Sequence, residues 1–221
     1  LAPDSEDVRA NLERLAENLG EWEALADSYD AAASKVDDDF VKRQLLNGLA
    51  NICDEQLDDP RRALGALRKV SALDPADDEA LDRTDTLCML LSDWELLVKV
   101  LQQKADNASS DVDRAELLGR LGGIKRDMLL DDDGAIEIYE RALDLSPEST
   151  RSLDHLIDLY EERDADRFVE LLEQRIVLAD AGSDTRHQLV IKAADVYEKR
   201  LEKPEEAIRV LQIALDERPT E

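Results

Sequence analysis

The feature that most constrains this chain is a gapless internal repeat of 72 residues, marked by Pro3, Pro75, Pro147 and Pro219 at that interval. The same offset links Leu15, Leu87 and Leu159, then Leu45, Leu117 and Leu189, then Leu57, Leu129 and Leu201, and finally Ala63, Ala135 and Ala207. Near-matches fill the columns between, such as Ile52/Ile124/Val196, Leu64/Ile136/Ile208 and Ala50/Gly122/Ala194. Trp22 and Trp94 also correspond, whereas the third copy has Asp166 there and offers Phe168 nearby. Copies 3–74, 75–146 and 147–218 account for nearly all of the 221 residues. A period of this length marks stacked supersecondary units, each too small to bury its own apolar face and each completed by its neighbours. Columns that stay apolar in every copy, Leu15/Leu87/Leu159 and Leu45/Leu117/Leu189 among them, are therefore expected to be stacking positions.

Each copy reads as four helices. In the second, Asp77–Leu91 sets Leu81, Thr84, Leu87, Cys88 and Leu91 at helical spacing. Ser92-Asp93 interrupts before a helix Trp94–Ala105, with Leu97, Val98 and Leu101 inward. Asn107–Ser110 is a loop, and Asp111 is the expected N-cap of a helix Val112–Leu129. Asp131–Asp133 breaks the chain again before Gly134–Leu145, whose buried stripe is Ile136, Tyr139, Ala142 and Leu143. Ser146-Pro147 ends that helix, because proline disfavours helix in the residue before it. Eight glycines and six prolines are too few for the turns of an all-β protein. About twelve helices in an all-α array are the expectation.

Ala135-Ile136…Tyr139…Ala142…Pro147 resembles the second helix of a tetratricopeptide repeat (TPR), and Leu118…Gly122 the helix before it, where a small residue lets two helices touch. Leu46…Ala50…Cys53…Ala63…Leu67…Val70…Pro75 and Val190…Ala194…Tyr197…Ala207…Leu211…Ala214…Pro219 fit the same pattern. The turn before the second helix, Leu201-Glu202-Lys203-Pro204 in the last copy, is one residue longer than usual. The alternate hairpin is more divergent, with Glu13, Asp85 and Ile157 at the small-residue position. Alternating units of this kind resemble those of large bacterial TPR proteins. The resemblance implies one right-handed α-solenoid of TPR-like hairpins across residues 1–221, an excerpt of a longer array. It further implies a non-catalytic protein-interaction scaffold whose first helices line a concave groove.

Carried onto this sequence, the groove positions are Asn47 and Asn51; Glu79 and Asp82; Asp154, Asp158 and Glu161; and Asp195 and Glu198. Gln44, Asp54, Thr86, Glu116, Gly119, Arg126, Arg151, Gln188 and Ile191 share those stripes. The Lys-x-x-x-Asn pair with which TPR chaperone cofactors clamp terminal carboxylates is replaced by Asn47/Asn51, Gly119/Gly123 and Ile191/Asp195, which disfavours an acidic partner. The expected ligand is a basic or mixed-charge peptide or helix. The alternative is a structural spacer of a larger protein with no ligand of its own.

The charge of −26, from 54 acidic against 28 basic side chains, supports those expectations. Nucleic-acid binding needs cations over phosphates, and anionic membranes need basic segments, so neither partner is expected. The longest apolar run, Leu87–Leu91, is far short of a membrane span. Targeting cannot be read from the sequence, and the cytoplasm stands as the default. Cys53 and Cys88 form no C-x-x-C or disulfide pattern.

No residue pattern points to catalysis, a metal or a cofactor. His155 and His187 lie in different helices without metal-ligand spacing, and His155 is expected to be exposed and solvated. No serine sits in G-x-S-x-G. Asp131-Asp132-Asp133-Gly134 resembles part of a calcium loop, but the first ligand position would be Leu129, a core column, so an acidic helix start is the better reading. The last helix, Glu205–Glu217, carries an interior pattern in Ala207, Ile208, Leu211, Ala214 and Leu215. An exposed apolar end face and end-to-end self-association are the corresponding expectations.

Overall fold

The computed structural model describes residues 6–217; Pro3, Ser5 and Pro219 lie outside them. Among the described residues there are twelve α-helices and no strand. They are α1 (Glu6–Leu19), α2 (Trp22–Ala33), α3 (Asp39–Asn51), α4 (Pro60–Leu73), α5 (Asp78–Leu91), α6 (Trp94–Asn107), α7 (Asp111–Asp127), α8 (Asp132–Leu145), α9 (Thr150–Tyr160), α10 (Ala165–Leu178), α11 (Asp184–Lys199) and α12 (Pro204–Glu217). The helices form a series of helix hairpins that divides into two compact units, the first ending at Asn107 and the second beginning at Ala108. In each unit successive helices pack on one another, as short connections require.

Aspartate and serine side chains start these helices. Asp38, Asp59, Asp77, Asp131 and Asp164 each accept a hydrogen bond from the backbone N–H three residues on, at 2.9–3.0 Å. Part of the negative charge is thus structural, since each cap satisfies an orphan donor and meets the positive end of the helix. The second copy's third helix departs from expectation. Ser110 caps α7, its Oγ accepting from Asp113 N at 3.0 Å. Ser110 is the last extended residue, at φ −123 and ψ 151, whereas Asp111 is already helical. The Asp111 carboxylate instead meets Arg114 at 3.0 Å.

The long turn recurs with one geometry. Asp58, Leu130 and Glu202 take positive φ of 50, 54 and 53. Just before them the chain makes wide closures: Leu57, Leu129 and Leu201 donate to Ile52, Ile124 and Val196 carbonyls at 3.0–3.2 Å. Asp59, Asp131 and Lys203 then donate to Cys53, Lys125 and Tyr197 carbonyls at 2.8–2.9 Å. The extra residue sits in the left-handed region so that these carbonyls find donors. In the first copy the wide closure extends into a π-helical turn, Ile52–Gln56, continuing α3.

Tyrosines fill the interiors beside the small residues. A Cβ on Gly122 would lie 2.8 Å from the Tyr139 ring, and one on Gly48 would lie 2.7 Å from the Tyr29 ring. Leu87 and Leu159 are buried as expected, but Leu15 is 45% exposed. α1 packs chiefly on α2, so no second helix covers that side of Leu15.

Candidate interaction surface

The expected groove stripes lie on the first helix of each hairpin at i, i+3 and i+7, and the structure turns most of them outward. Asn51, Glu79, Asp82, Asp154, Asp158, Asp195 and Glu198 are exposed, while Asn47 and Glu161 are half-buried. Gly119 is buried in its stripe. These residues fall in both units: Asn47, Asn51, Glu79 and Asp82 in the first, the remainder in the second.

In the second unit the stripes are tied together by cations. Arg126 of α7 meets Asp158 of α9 at 3.6 Å. Arg175 of α10 reaches Asp154 at 2.8 Å, and Lys192 of α11 reaches Glu161 at 2.9 Å. Asp195 pairs with Lys199 one turn on, at 2.8 Å. In the first unit Lys104 meets Asp82 at 2.7 Å. Glu79 and Glu198 have no ion pair among the described residues. Apart from the local Asp195–Lys199 pair, the sequence signals acidity here but not the pairing, because the partners lie on other helices, roughly 20 to 30 positions away in the chain.

A surface groove of 740 Å³ in the second unit lies between α7 and the start of α9. Glu116, Gly119 and Arg120 form one wall; Ser149, Arg151 and Ser152 form the other. Asp113 and Glu148 add two more carboxylates, so three acidic and two guanidinium side chains line it. Gly119 lines the groove opposite Ser152, and a Cβ there would make only ordinary contact, 3.8 Å from Ser152 Oγ. Of the nine principal candidates none lines this groove, and only Asn51 lines another described depression, of 220 Å³, beside Trp22 and Glu55. Glu116, Gly119 and Arg151 do lie in the stripes read from sequence. Arg120, Ser149 and Ser152 were missed; Ser149 could have been found as the helix-start serine after Pro147.

His155 is not solvated. It is half-buried on α9, stacked on Tyr139 at 4.9 Å and 19° between planes. Arg126 Nη1 lies 3.2 Å from Nδ1, and since a guanidinium only donates, Nδ1 is the acceptor of a neutral imidazole. Burial first, then Arg126 and Arg151, hold its pKa below the usual histidine value. The three carboxylates of the calcium-like segment are committed elsewhere. Asp131 accepts from Gly134 N and from Lys125 Nζ, at 2.9 and 2.6 Å, and Asp132 and Asp133 both pair with Arg163. Both cysteines are buried, and burial pushes the Cys88 thiol up to about 11. That disfavours the reactive thiolate. No described helix is long and apolar enough to cross a membrane.

Neither a protein-family model nor a curated protein sequence matches the chain. Among solved structures it is similar to YrrB, described as a TPR protein with an unusual peptide-binding site, at 17% identity over 88% of this chain and 94% of that one, with a TM-score of 0.46. It is similar to MamA from Desulfovibrio magneticus RS-1 at 14% identity over 81% and 96% of the two chains, TM-score 0.43. PilF from Pseudomonas aeruginosa matches at 17% identity over 97% and 92%, TM-score 0.45. The hairpin fold rests on the chain's own repeat and packing, and these likenesses carry no ligand or partner over to it.

Proposed function

We propose that the chain is a non-catalytic protein-interaction scaffold that takes a basic or mixed-charge peptide or helix along its first-helix stripes. The observation that carries the reading is the 740 Å³ groove between α7 and α9, open, walled by helices and lined by both signs of charge. Its Glu116, Asp113 and Glu148 suit lysines or arginines, and its Arg120 and Arg151 suit an acidic residue between them. Asp154, Asp158 and Glu161 continue the α9 stripe beyond the groove, with Asp195 and Glu198 on α11 as further acidic positions. In this reading the first unit offers Asn47, Asn51, Glu79 and Asp82 on its own first helices.

One observation favours the spacer reading instead: Asp82, Asp154, Asp158, Glu161 and Asp195 already hold intrachain cations. A ligand must displace or share those cations, which lowers the gain from charge. An array of short peptides spanning acidic, neutral, mixed and basic charge separates the two. A scaffold retains basic or mixed-charge peptides, and Glu116→Arg with Arg151→Glu changes which are retained. A spacer retains none above background, and retention of acidic peptides alone contradicts both readings.

A further inference from the structure

Within the first unit a pocket of 290 Å³ opens between the end of α2, the body of α3 and the end of α4. Ala33, Leu46, Ala72 and Leu73 give it apolar walls. Of its polar groups, Lys69 and Asp30 neutralise each other at 2.7 Å, and Ser34 Oγ donates to the Asp30 carbonyl at 2.9 Å. Lys42 is half-buried beside the pocket and has no ion pair among the described residues. The cation is therefore uncommitted next to an apolar hollow.

The repeat supplies two internal controls. The Lys42 column holds Arg114 and Arg186 in the other copies, and both of those are occupied. Arg114 donates to the Ala108 carbonyl and meets Asp111, each at 3.0 Å. Arg186 donates to the Ile176 and Ala179 carbonyls at 2.7 and 3.0 Å and pairs with Glu217 at 3.0 Å. Lysine lacks the planar fork with which arginine grips several acceptors at once. The walls differ as well: Ala72 and Leu73 stand where the third copy has Asp216 and Glu217. The first copy thus keeps a cation at this column and has aliphatic groups in place of the anions.

We propose that this pocket binds a free medium-chain aliphatic carboxylate. Its alkyl chain lies among Ala33, Leu46, Ala72 and Leu73, and its carboxylate accepts from Lys42 Nζ. A volume of 290 Å³ is at the low end of the ~300–1,000 Å³ usual for small-molecule sites, which suits one alkyl chain rather than a helix. Apolar burial supplies the attraction, and the charge-assisted hydrogen bond selects a carboxylate over an alcohol. The net charge of −26 repels anions at a distance, but that field fades within a Debye length, about 8 Å at physiological salt, whereas Lys42 acts in contact. The pocket shares no residue with the α7–α9 groove, so either site can fail without the other.

Titration of the chain with octanoate at physiological salt, followed by amide and methyl chemical shifts, tests the proposal, with octan-1-ol and acetate as comparison probes. Saturable shifts should centre on Ala33, Leu46, Ala72 and Leu73. Octanoate should bind about tenfold more tightly than octan-1-ol, the lower end of what a hydrogen bond to a charged group contributes, and acetate should not bind. Lys42→Met keeps an apolar stem and should bring octanoate down to the level of octan-1-ol. Ala72→Leu fills the pocket and should abolish both. Urea midpoints read from Trp22 and Trp94 fluorescence should match wild type, which separates a lost site from a lost fold. Should either variant lower that midpoint, the wild-type preference for octanoate over octan-1-ol decides by itself. Absence of binding, shifts spread over both units, octanoate no tighter than octan-1-ol, or octanoate binding unchanged in a folded Lys42→Met each overturns the proposal. An acetylated pentapeptide ending in leucine is the last probe: tighter binding than octanoate would put a protein terminus in the pocket and overturn the free acid as its occupant.

Discussion

The α5–α6 hairpin of the first unit and the α9–α10 hairpin of the second occupy equivalent repeat positions and solve the same packing problem with opposite chemistry. In α5–α6, Asp85 is only 5% exposed and meets Lys104 Nζ at 3.1 Å, with Asp82 on the same ammonium at 2.7 Å. In α9–α10 the same two positions are Ile157 and Ile176, both buried. Burial works to lower the Lys104 pKa, yet the hydrogen bonds to Asp82 and Asp85 outweigh it and leave it raised. Aromatic partners diverge as well. Trp94 is half-buried, whereas Phe168 is fully buried with Lys192 Nζ at 5.0 Å and the Arg200 guanidinium at 5.7 Å from its ring centre. The lesson is that the repeat fixes the volume and direction of each interior position but leaves open whether it is filled by an ion pair or by aliphatic groups.

The difference can be tested where it is largest. Removing one partner of a buried pair leaves the other desolvated, so Lys104→Ala should cost about 2–3 kcal/mol, below the ~3–5 kcal/mol of a fully buried pair because Lys104 keeps some solvent. Both tryptophans, Trp22 and Trp94, belong to the first unit, so their fluorescence in urea reads that unit alone. Installing the second unit's solution, Asp85→Ile with Lys104→Ile, should restore stability to within ~1 kcal/mol of wild type or exceed it. A double variant as weak as the single one would show that the two hairpins are not interchangeable.

Gly122→Ala should destabilise the second unit by about 1–3 kcal/mol, since the added methyl meets the Tyr139 ring and overpacks a filled interior. The loss should appear in circular dichroism without shifting the tryptophan transition. Leu130→Gly is expected to act in the other direction, by only ~0.5 kcal/mol, because relief of a left-handed leucine exceeds the entropy that glycine adds to the unfolded chain. An unchanged or lowered urea midpoint would show that the turn carries no such strain.

The smallest effect is a pH slope. His155 has a depressed folded pKa, so its unfolded form takes up a proton first as pH falls from about 6.5. Its contribution is therefore present above that pH and lost as pH falls through the folded value. His155→Phe keeps the stack on Tyr139 and should flatten the loss of second-unit stability between neutral pH and pH ~5. An unaltered slope would assign that loss to other groups.

Much of the fold was legible in the sequence because its signals are local or periodic. Pro75 and Pro147 marked the phase, Asp77 and Ser92-Asp93 marked helix ends, and the Leu201–Pro204 turn showed its extra residue. Leu15 and His155 were misread because exposure depends on which other helix lies alongside. The cap of α7 was misplaced by one residue because Ser110 and Asp111 are both competent caps, and only the backbone turn selects between them. The candidate stripes were legible as outward faces, since helical spacing alone sets that. The cations that hold Asp154, Asp158 and Glu161, and the groove between α7 and the start of α9, were not, since both arise from inter-helix register.

The central claim is that the first-helix face of the second unit receives a basic or mixed-charge peptide. Amide chemical-shift mapping of the chain, titrated with the mixed-charge peptide best retained on the array, tests it most directly. The expected result is shifts concentrated at Glu116–Arg120 and Ser149–Asp154, fading as salt is raised. Shifts confined to α8 and α10, or shifts indifferent to salt, would contradict it.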